Sequence, residues 1–183
     1  MTIRCAWGQE PGLMQTYHDV EWGKPHRDDH ALFELMCMEM YQAGLSWRTV
    51  LNKRAAFNED FDHYDIEKVA NMTEADWQPF LQDARIIRNR AKLAATVSNA
   101  QAFIKVQKEF GSFARYWWAF VNNQPLVNDV VTEDDVPAKT ALSVKIAKDL
   151  KYRGFKFMGP VAVYAFMQAS GLVNDHLNNC AFK

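Results

Sequence analysis

The sequence predicts an all-α fold, and three observations predict it. Apolar residues recur at intervals of three and four through most of the chain. Glycines and polar cap residues punctuate those runs where helices should stop and start. No segment sustains an alternation of apolar and polar residues, and Val127 to Val131 is a short ambiguous run.

The first thirty residues read as irregular, with Gly8, Pro11, Gly12, Gly23 and Pro25 interleaved with Trp7, Tyr17 and Trp22. Asp28 or Asp29 can cap a helix over 29–42, in which Leu32, Phe33, Met36 and Met40 share the apolar spacing. Gly44 supplies the stop, because glycine adopts the left-handed conformation without steric penalty. Ser46 caps a second helix over 47–58, and a third is expected over 65–71. Thr73 and Asp76 resemble a capping box, although Pro79 limits the helix they would start. From Arg88 to Phe110, Leu93, Val97, Ala100 and Ile104 lie on one face. Gly111 ends that helix, and Ser112 caps one from Phe113 to Val121. A polar, acidic loop runs from Asn122 to Pro137. Leu142, Ile146 and Leu150 mark a helix over Lys139 to Arg153, Gly154 and Gly159 bracket a tight hairpin, and Pro160 opens the last long helix, which Gly171 closes.

With 183 residues and no repeat, low-complexity tract or Gly/Ser linker, the chain is expected to form one domain, or two lobes sharing a core. The first residues show no signal peptide and no stretch spans a bilayer, so a cytosolic protein is expected. Three cysteines, Cys5, Cys37 and Cys180, read there as buried thiols, metal ligands or catalytic groups. A net charge of −1 excludes a globally basic nucleic-acid binder but permits a local basic face.

Four features carry chemistry. Glu39 sits in an apolar helix and Trp47 just past the glycine turn. A carboxylate in such company is costly unless exposed, paired or functional, and a solvated polar-face glutamate is the plain alternative. The hairpin after Arg153 opens a helix whose N–H groups can hold a phosphate, with Lys148, Lys151, Arg153 and Lys156 nearby; it can equally be an ordinary turn. Arg85 to Lys92 is densely basic, with Arg88 and Lys92 expected on one helix face, and the two basic segments together suggest a side that faces DNA. Finally, Cys5 and His18 lie near one end and His176 and Cys180 near the other, the latter pair four apart as on a helical turn. Two thiolates and two imidazoles are a normal zinc set, although spacing alone leaves buried thiols and surface histidines open. His26, His30 and His63 have no such partners.

The runs Cys5-Ala6-Trp7, Tyr17-His18-Asp19, Glu21-Trp22-Gly23, Gln42-Ala43-Gly44-Leu45-Ser46-Trp47, Ile86-Ile87-Arg88-Asn89-Arg90, Arg153-Gly154-Phe155-Lys156-Phe157 and Gly171-Leu172-Val173-Asn174-Asp175-His176 resemble, in this order and nearly end to end, the 3-methyladenine DNA glycosylase I family. That family belongs to the helix-hairpin-helix DNA glycosylases. The resemblance implies a single glycosylase domain over 1–183, built of two helical lobes whose termini a zinc joins through Cys5, His18, His176 and Cys180. It implies a base pocket of Trp7, Tyr17, Trp22 and Trp47, with Glu39 contacting the damaged base as the catalytic carboxylate. The basic segment and the hairpin read above put Arg88, Gly154, Lys156 and Gly159 against the DNA backbone. The partner implied is alkylated double-stranded DNA, met by a monomer in the bacterial cytosol or nucleoid.

Such an enzyme must take the base out of the stack and read its edge. Aromatic walls stack on the base and favour the positive charge that N3 methylation creates. A carboxylate accepts from the exocyclic amine and stabilises the cation. The bond to a cationic base is already weak, so positioning and electrostatics supply much of the rest, with water attacking the sugar carbon. Met40, followed by Tyr41, stands where the family usually has a small residue after the pocket glutamate, which bears on base selectivity. Phe157 stands where the superfamily hairpin has its first glycine, and Val161 stands where lyase-active members carry lysine, so a monofunctional enzyme is expected. Asp175 falls near the superfamily's catalytic aspartate but directly precedes His176, which also allows a structural role. The alternatives are a non-catalytic module that binds alkylated bases or DNA, and a zinc-stapled interaction protein.

Overall fold

The computed structural model describes residues 2–183. Nine α-helices occur among them: α1 Leu13–Val20, α2 Asp29–Gln42, α3 Trp47–Asp60, α4 Ile66–Ala70, α5 Glu74–Trp77, α6 Arg90–Phe110, α7 Phe113–Ala119, α8 Ala141–Tyr152 and α9 Pro160–Ala169. Short 3-10 turns lie at Ala6–Gly8, Asp62–Tyr64, Gln78–Gln82 and Glu133–Asp135. The ambiguous run contributes a single two-residue pairing: β1, Leu126–Val127, lies parallel to β2, Val173–Asn174. The all-α expectation holds.

Local caps begin most helices where the sequence places them. Asp28 accepts from the Ala31 amide, Ser46 from Thr49, Asp65 from Lys68, Ser112 from Arg115 and Thr140 from Ser143. Gly44, at φ +80°, turns the chain between α2 and α3. Asp29, the other candidate cap for α2, does something the sequence did not disclose. It accepts from the amides of Phe113 and Ala114, capping α7 from 84 residues away.

Four expectations need correction. The first thirty residues, read as irregular, contain helix α1, Leu13–Val20, whose C-cap amide, that of Glu21, donates to the Tyr17 carbonyl. The helix expected from Arg88 begins at Arg90, because Asn89 is extended and its side chain accepts from the Lys92 amide. Arg88 therefore lies outside the helix and shares no face with Lys92. The helix expected to reach Val121 ends at Ala119. His176 and Cys180 lie on no helix: a tight turn, closed by the Cys180 amide on the Leu177 carbonyl at 2.9 Å, brings them together instead.

One contiguous core runs from Tyr17 to Val173, centred on α2, whose residues Leu32, Phe33, Met36 and Met40 are fully buried. Aromatic pairs dominate it, including Tyr41 stacked on Phe57 at 4.1 Å and Phe103 on Phe113 at 4.0 Å. Arg54 ties α1, α2 and α3 together behind the site, donating to both Glu21 oxygens at 2.9 Å and to Glu34 at 2.8 Å.

Candidate active site and metal centre

A cavity of about 360 Å³ opens between the N-terminal segment, α2, the start of α3 and α9. Trp7, Tyr17, Trp22, Glu39 and Trp47 all line it, so the five residues proposed as a base pocket do come together. Trp7 stands on the first 3-10 turn, Tyr17 on α1, Trp22 just past it, Glu39 in the last turns of α2, and Trp47 at the first position of α3. Trp7 and Trp22 meet edge to face at 5.0 Å, and Tyr17 and Trp47 lie 5.1 Å apart.

The polar atoms of this pocket are unusual. Glu39 Oε2, Tyr17 OH and Trp47 Nε1 are all buried without a hydrogen-bond partner. Glu39 is 6 % exposed, and burial alone pushes its carboxyl from near 4.5 up to about 8. The solvated-glutamate alternative is thereby removed. Two donors and a carboxyl group converge on an aromatic cavity with nothing inside the protein to satisfy them. Unpaired buried polar groups are costly, and sites that keep them are poised for a ligand.

A second carboxylate lines the same cavity. Asp175 is buried, but Tyr164 OH and Asn128 Nδ2 donate to it at 2.7 Å and Gln168 Nε2 at 2.8 Å. Sequence reasoning missed these three donors, and it missed Gln42 and Glu133 in the lining. Gln42 was accessible to the helical rule, since it lies three residues beyond Glu39. Glu133 carried no signal: it reaches from the acidic loop to accept from the Ala6 amide at 2.7 Å, next to Trp7.

Directly beside the pocket, Cys5, His18, His176 and Cys180 present their ligand atoms within 4.8 Å of one another, and all four are buried. Cys5 Sγ lies 3.6 Å from His176 Nδ1, and Cys180 Sγ lies 3.4 Å from His176 Nδ1 and 3.6 Å from His18 Nε2. A tetrahedral N/S site with ordinary bond lengths has sulfur–nitrogen edges of about 3.5 Å, so the set fits a four-coordinate metal ion. The outer groups agree. His176 Nε2 donates to the Trp22 carbonyl at 3.0 Å, leaving Nδ1 for the metal. His18 Nδ1 donates to Asp19 at 2.8 Å, leaving Nε2, and Arg4 holds Asp19 through three contacts of 2.8–3.0 Å. Burial pushes His176 down to about 4, keeping it neutral, and raises the Cys5 thiol to about 11, a direction that a bound cation reverses.

Pocket and cluster share parts. Trp7 and Trp22 pack edge-on against His18 and His176 at 4.9 and 4.7 Å. Glycine is required beside both: a Cβ at Gly8 would lie 2.4 Å from the His18 ring, and Gly23 combines φ +72° with a 3.0 Å approach to His176.

The basic face is narrower than the sequence suggests. Arg85 is bound to Asp83 and Glu59, Arg90 to Glu74, and Arg153 to Asp149 and Glu109. Lys92 is buried. Arg88, Lys148, Lys151 and Lys156 remain exposed and without ion pairs among the described residues. Between α8 and α9 the turn carries Gly154 at φ +95°, and Gly159 precedes Pro160 at the start of α9, which has no side-chain cap. Phe157 adopts φ +57°, the left-handed conformation for which glycine is favoured.

A family model described as methyladenine glycosylase matches residues 7–183. The chain is 49% identical over 183 residues to the DNA-3-methyladenine glycosylase of Haemophilus influenzae, covering all of this chain and 99% of that one. It is 46% identical over 177 residues to DNA-3-methyladenine glycosylase 1 of Escherichia coli, covering 97% and 95%. The structure superposes, with a TM-score of 0.95 and 39% identity, on the 3-methyladenine DNA glycosylase I of Staphylococcus aureus, solved for its recognition of 3-methyladenine, over 98% of this chain and 96% of that one. With a family match over nearly all its length and relatives close to half identical from end to end, the chain belongs to the methyladenine glycosylase family.

Proposed function

We propose that this protein is a DNA-3-methyladenine glycosylase of base-excision repair, hydrolysing the N-glycosidic bond of 3-methyladenine in alkylated double-stranded DNA without a lyase step. One observation carries the reading most strongly: an aromatic cavity in which Glu39 Oε2, Tyr17 OH and Trp47 Nε1 are buried and unpartnered. The extruded cationic base stacks between the aromatic walls, which favour its charge. Its exocyclic amine donates to Glu39, while Tyr17 and Trp47 offer donors to its ring nitrogens. In the free enzyme Glu39 is held largely neutral by burial, and the arriving cation draws out its charged form. The base is thus bound as a cation, the leaving group needs no further protonation, and water attacks the sugar carbon. We assign Asp175 to support rather than chemistry, because three donors already occupy its oxygens. Val161, in place of a nucleophilic lysine, supports a monofunctional reaction.

In the same reading the metal is one structural zinc held by Cys5, His18, His176 and Cys180, which ties the two chain ends and closes all four coordination positions with protein. The α8–turn–α9 unit is a helix-hairpin-helix motif, with Gly154, Lys156, Gly159 and Arg88 against phosphates. The chain is one domain of two helical lobes. Bacterial relatives, and a pocket complete within one chain, support a monomer acting in the bacterial cytosol or nucleoid. No helix of the described residues is long and apolar enough to cross a membrane.

The deciding experiment is incubation of the purified protein with methylated duplex DNA, then chromatography of released bases. Free 3-methyladenine with an intact sugar–phosphate backbone is expected. Binding of damaged DNA without release would instead identify a non-catalytic module.

A further inference from the structure

Helix α6 carries three buried polar side chains on one face, Lys92, Thr96 and Asn99, spaced four and three residues apart. Each holds a piece of structure from elsewhere in the chain. Lys92, 6 % exposed, donates from Nζ to the carbonyls of Tyr41 at 2.7 Å and Ala43 at 3.0 Å, the open C-terminal end of α2. Thr96 Oγ1 donates to the Lys92 carbonyl at 3.0 Å, so Tyr41 OH, 2.9 Å away, donates to Thr96. Asn99 clasps the hairpin: the Lys156 amide donates to Asn99 Oδ1 at 2.7 Å, and Asn99 Nδ2 donates to the Lys156 carbonyl at 3.1 Å.

A buried lysine with no carboxylate partner is costly, and this one is compensated by two helix-terminal carbonyls that carry partial negative charge. Apolar side chains could join the same elements at lower desolvation cost. Directional hydrogen bonds do what they cannot, which is to fix one relative placement. The elements joined are the two that must act together. The end of α2 carries Glu39 and leads through Gly44 to Trp47, and the hairpin carries Lys156. Asn99 grips the residue immediately before Phe157, an exposed residue whose left-handed backbone needs outside support.

We propose that Lys92, Thr96 and Asn99 are positioning residues that set the register between the hairpin and the Glu39–Trp47 pocket, so that phosphates seated on the hairpin deliver the extruded base to Glu39. This rests on the DNA glycosylase reading. A misplacement near 1 Å in such a relay costs up to about a hundredfold in rate, without loss of either separate contact.

The test separates the pocket from the relay. Asn99→Leu removes both bonds to Lys156 and the 3.4 Å contact from Asn99 Nδ2 to Met40 Sδ on α2. Calorimetry with free 3-methyladenine is expected to give an affinity within about twofold of wild type, while single-turnover excision at saturating methylated duplex falls roughly tenfold or more. Asn99→Asp, which keeps the acceptor for the Lys156 amide, recovers part of the rate and serves if Asn99→Leu does not fold. Lys92→Met should lower excision more than free-base affinity, and Lys92→Arg should restore excision in part, because the guanidinium still donates to the α2 carbonyls. Wild-type excision by Asn99→Leu, or a parallel fall in free-base affinity and excision, would overturn the proposal. Wild-type protein that binds free base but releases none from DNA defeats the glycosylase reading instead.

Discussion

Glu39 and Asp175 line one cavity from different elements, and the protein treats them in opposite ways. Asp175 accepts from Tyr164, Gln168 and Asn128 and stands next to His176 of the Cys/His cluster. Glu39 has an oxygen with no partner and a carboxyl pushed up to about 8. The Asp175 side is satisfied and adjoins the Cys/His cluster. The Glu39 side is left wanting, at a cost to stability that a bound cation relieves. Burial alone would not have told these carboxylates apart; their partners do.

The sharpest way to break this comparison is to change Glu39. Glu39→Ala is expected to lower single-turnover excision by about a hundredfold or more, comparable to losing one preorganised transition-state contact. Glu39→Gln, which keeps shape and an acceptor, loses less. Neither should lower the melting temperature by much: Glu39→Ala removes a carboxyl with an unsatisfied oxygen, and Glu39→Gln exchanges one unpartnered polar group for another. Excision at wild-type rates by both variants would remove Glu39 from the chemistry.

The raised carboxyl also predicts a pH dependence. Its folded value lies above its unfolded one, so between about 4.5 and about 8 the folded state binds the extra proton. Glu39's contribution is therefore fully present below about 4.5 and is lost as pH rises through about 8. Denaturant titrations at pH 5 and pH 8 should show wild type losing stability relative to Glu39→Gln over that interval. Over the same range kcat/KM on duplex DNA should rise with pH in wild type and flatten in Glu39→Gln.

On the Asp175 side the effects should be structural. Cys180→Ser, or chelation, should lower the melting temperature by about 5–10 °C and release the metal, read by calorimetry and metal analysis. Cys37→Ser, deep in the core and away from the cluster, should leave metal content unchanged. Asp175→Asn turns one accepting oxygen into a donor facing donors, and should cost about 1–3 kcal/mol of folding stability, with a smaller loss of excision than Glu39→Gln. A larger excision loss at Asp175 than at Glu39 would invert the assignment. The smallest effect is expected far from both carboxylates. Arg88→Ala should weaken duplex binding alike for many sequences and reduce the salt dependence by about one phosphate contact.

Much of the fold was legible because helix ends are local events. Asp28, Ser46, Asp65, Ser112 and Thr140 each accept from an amide three residues on, so a few neighbouring residues determine where those helices begin. The residues proposed for a base pocket and for a metal site stood out as motifs, and the structure gathers the first in one cavity and the second in one cluster. Tertiary structure decided everything that depends on distant partners. Ion pairing withdrew Arg85, Arg90 and Arg153 from the basic face, and burial turned Lys92 from a surface charge into a cap for α2. Asp29 became the cap of a helix 84 residues away, and Asp175 found its donors in a loop and in α9. Cys5 and His176 meet across 171 residues without any regular spacing between them. The sequence by itself determined which residues start helices and which are candidates for chemistry, because those are properties of short segments. Which carboxylate stays unpaired, and which cation stays free, was decided only when the core closed, because both depend on partners that chain proximity does not specify.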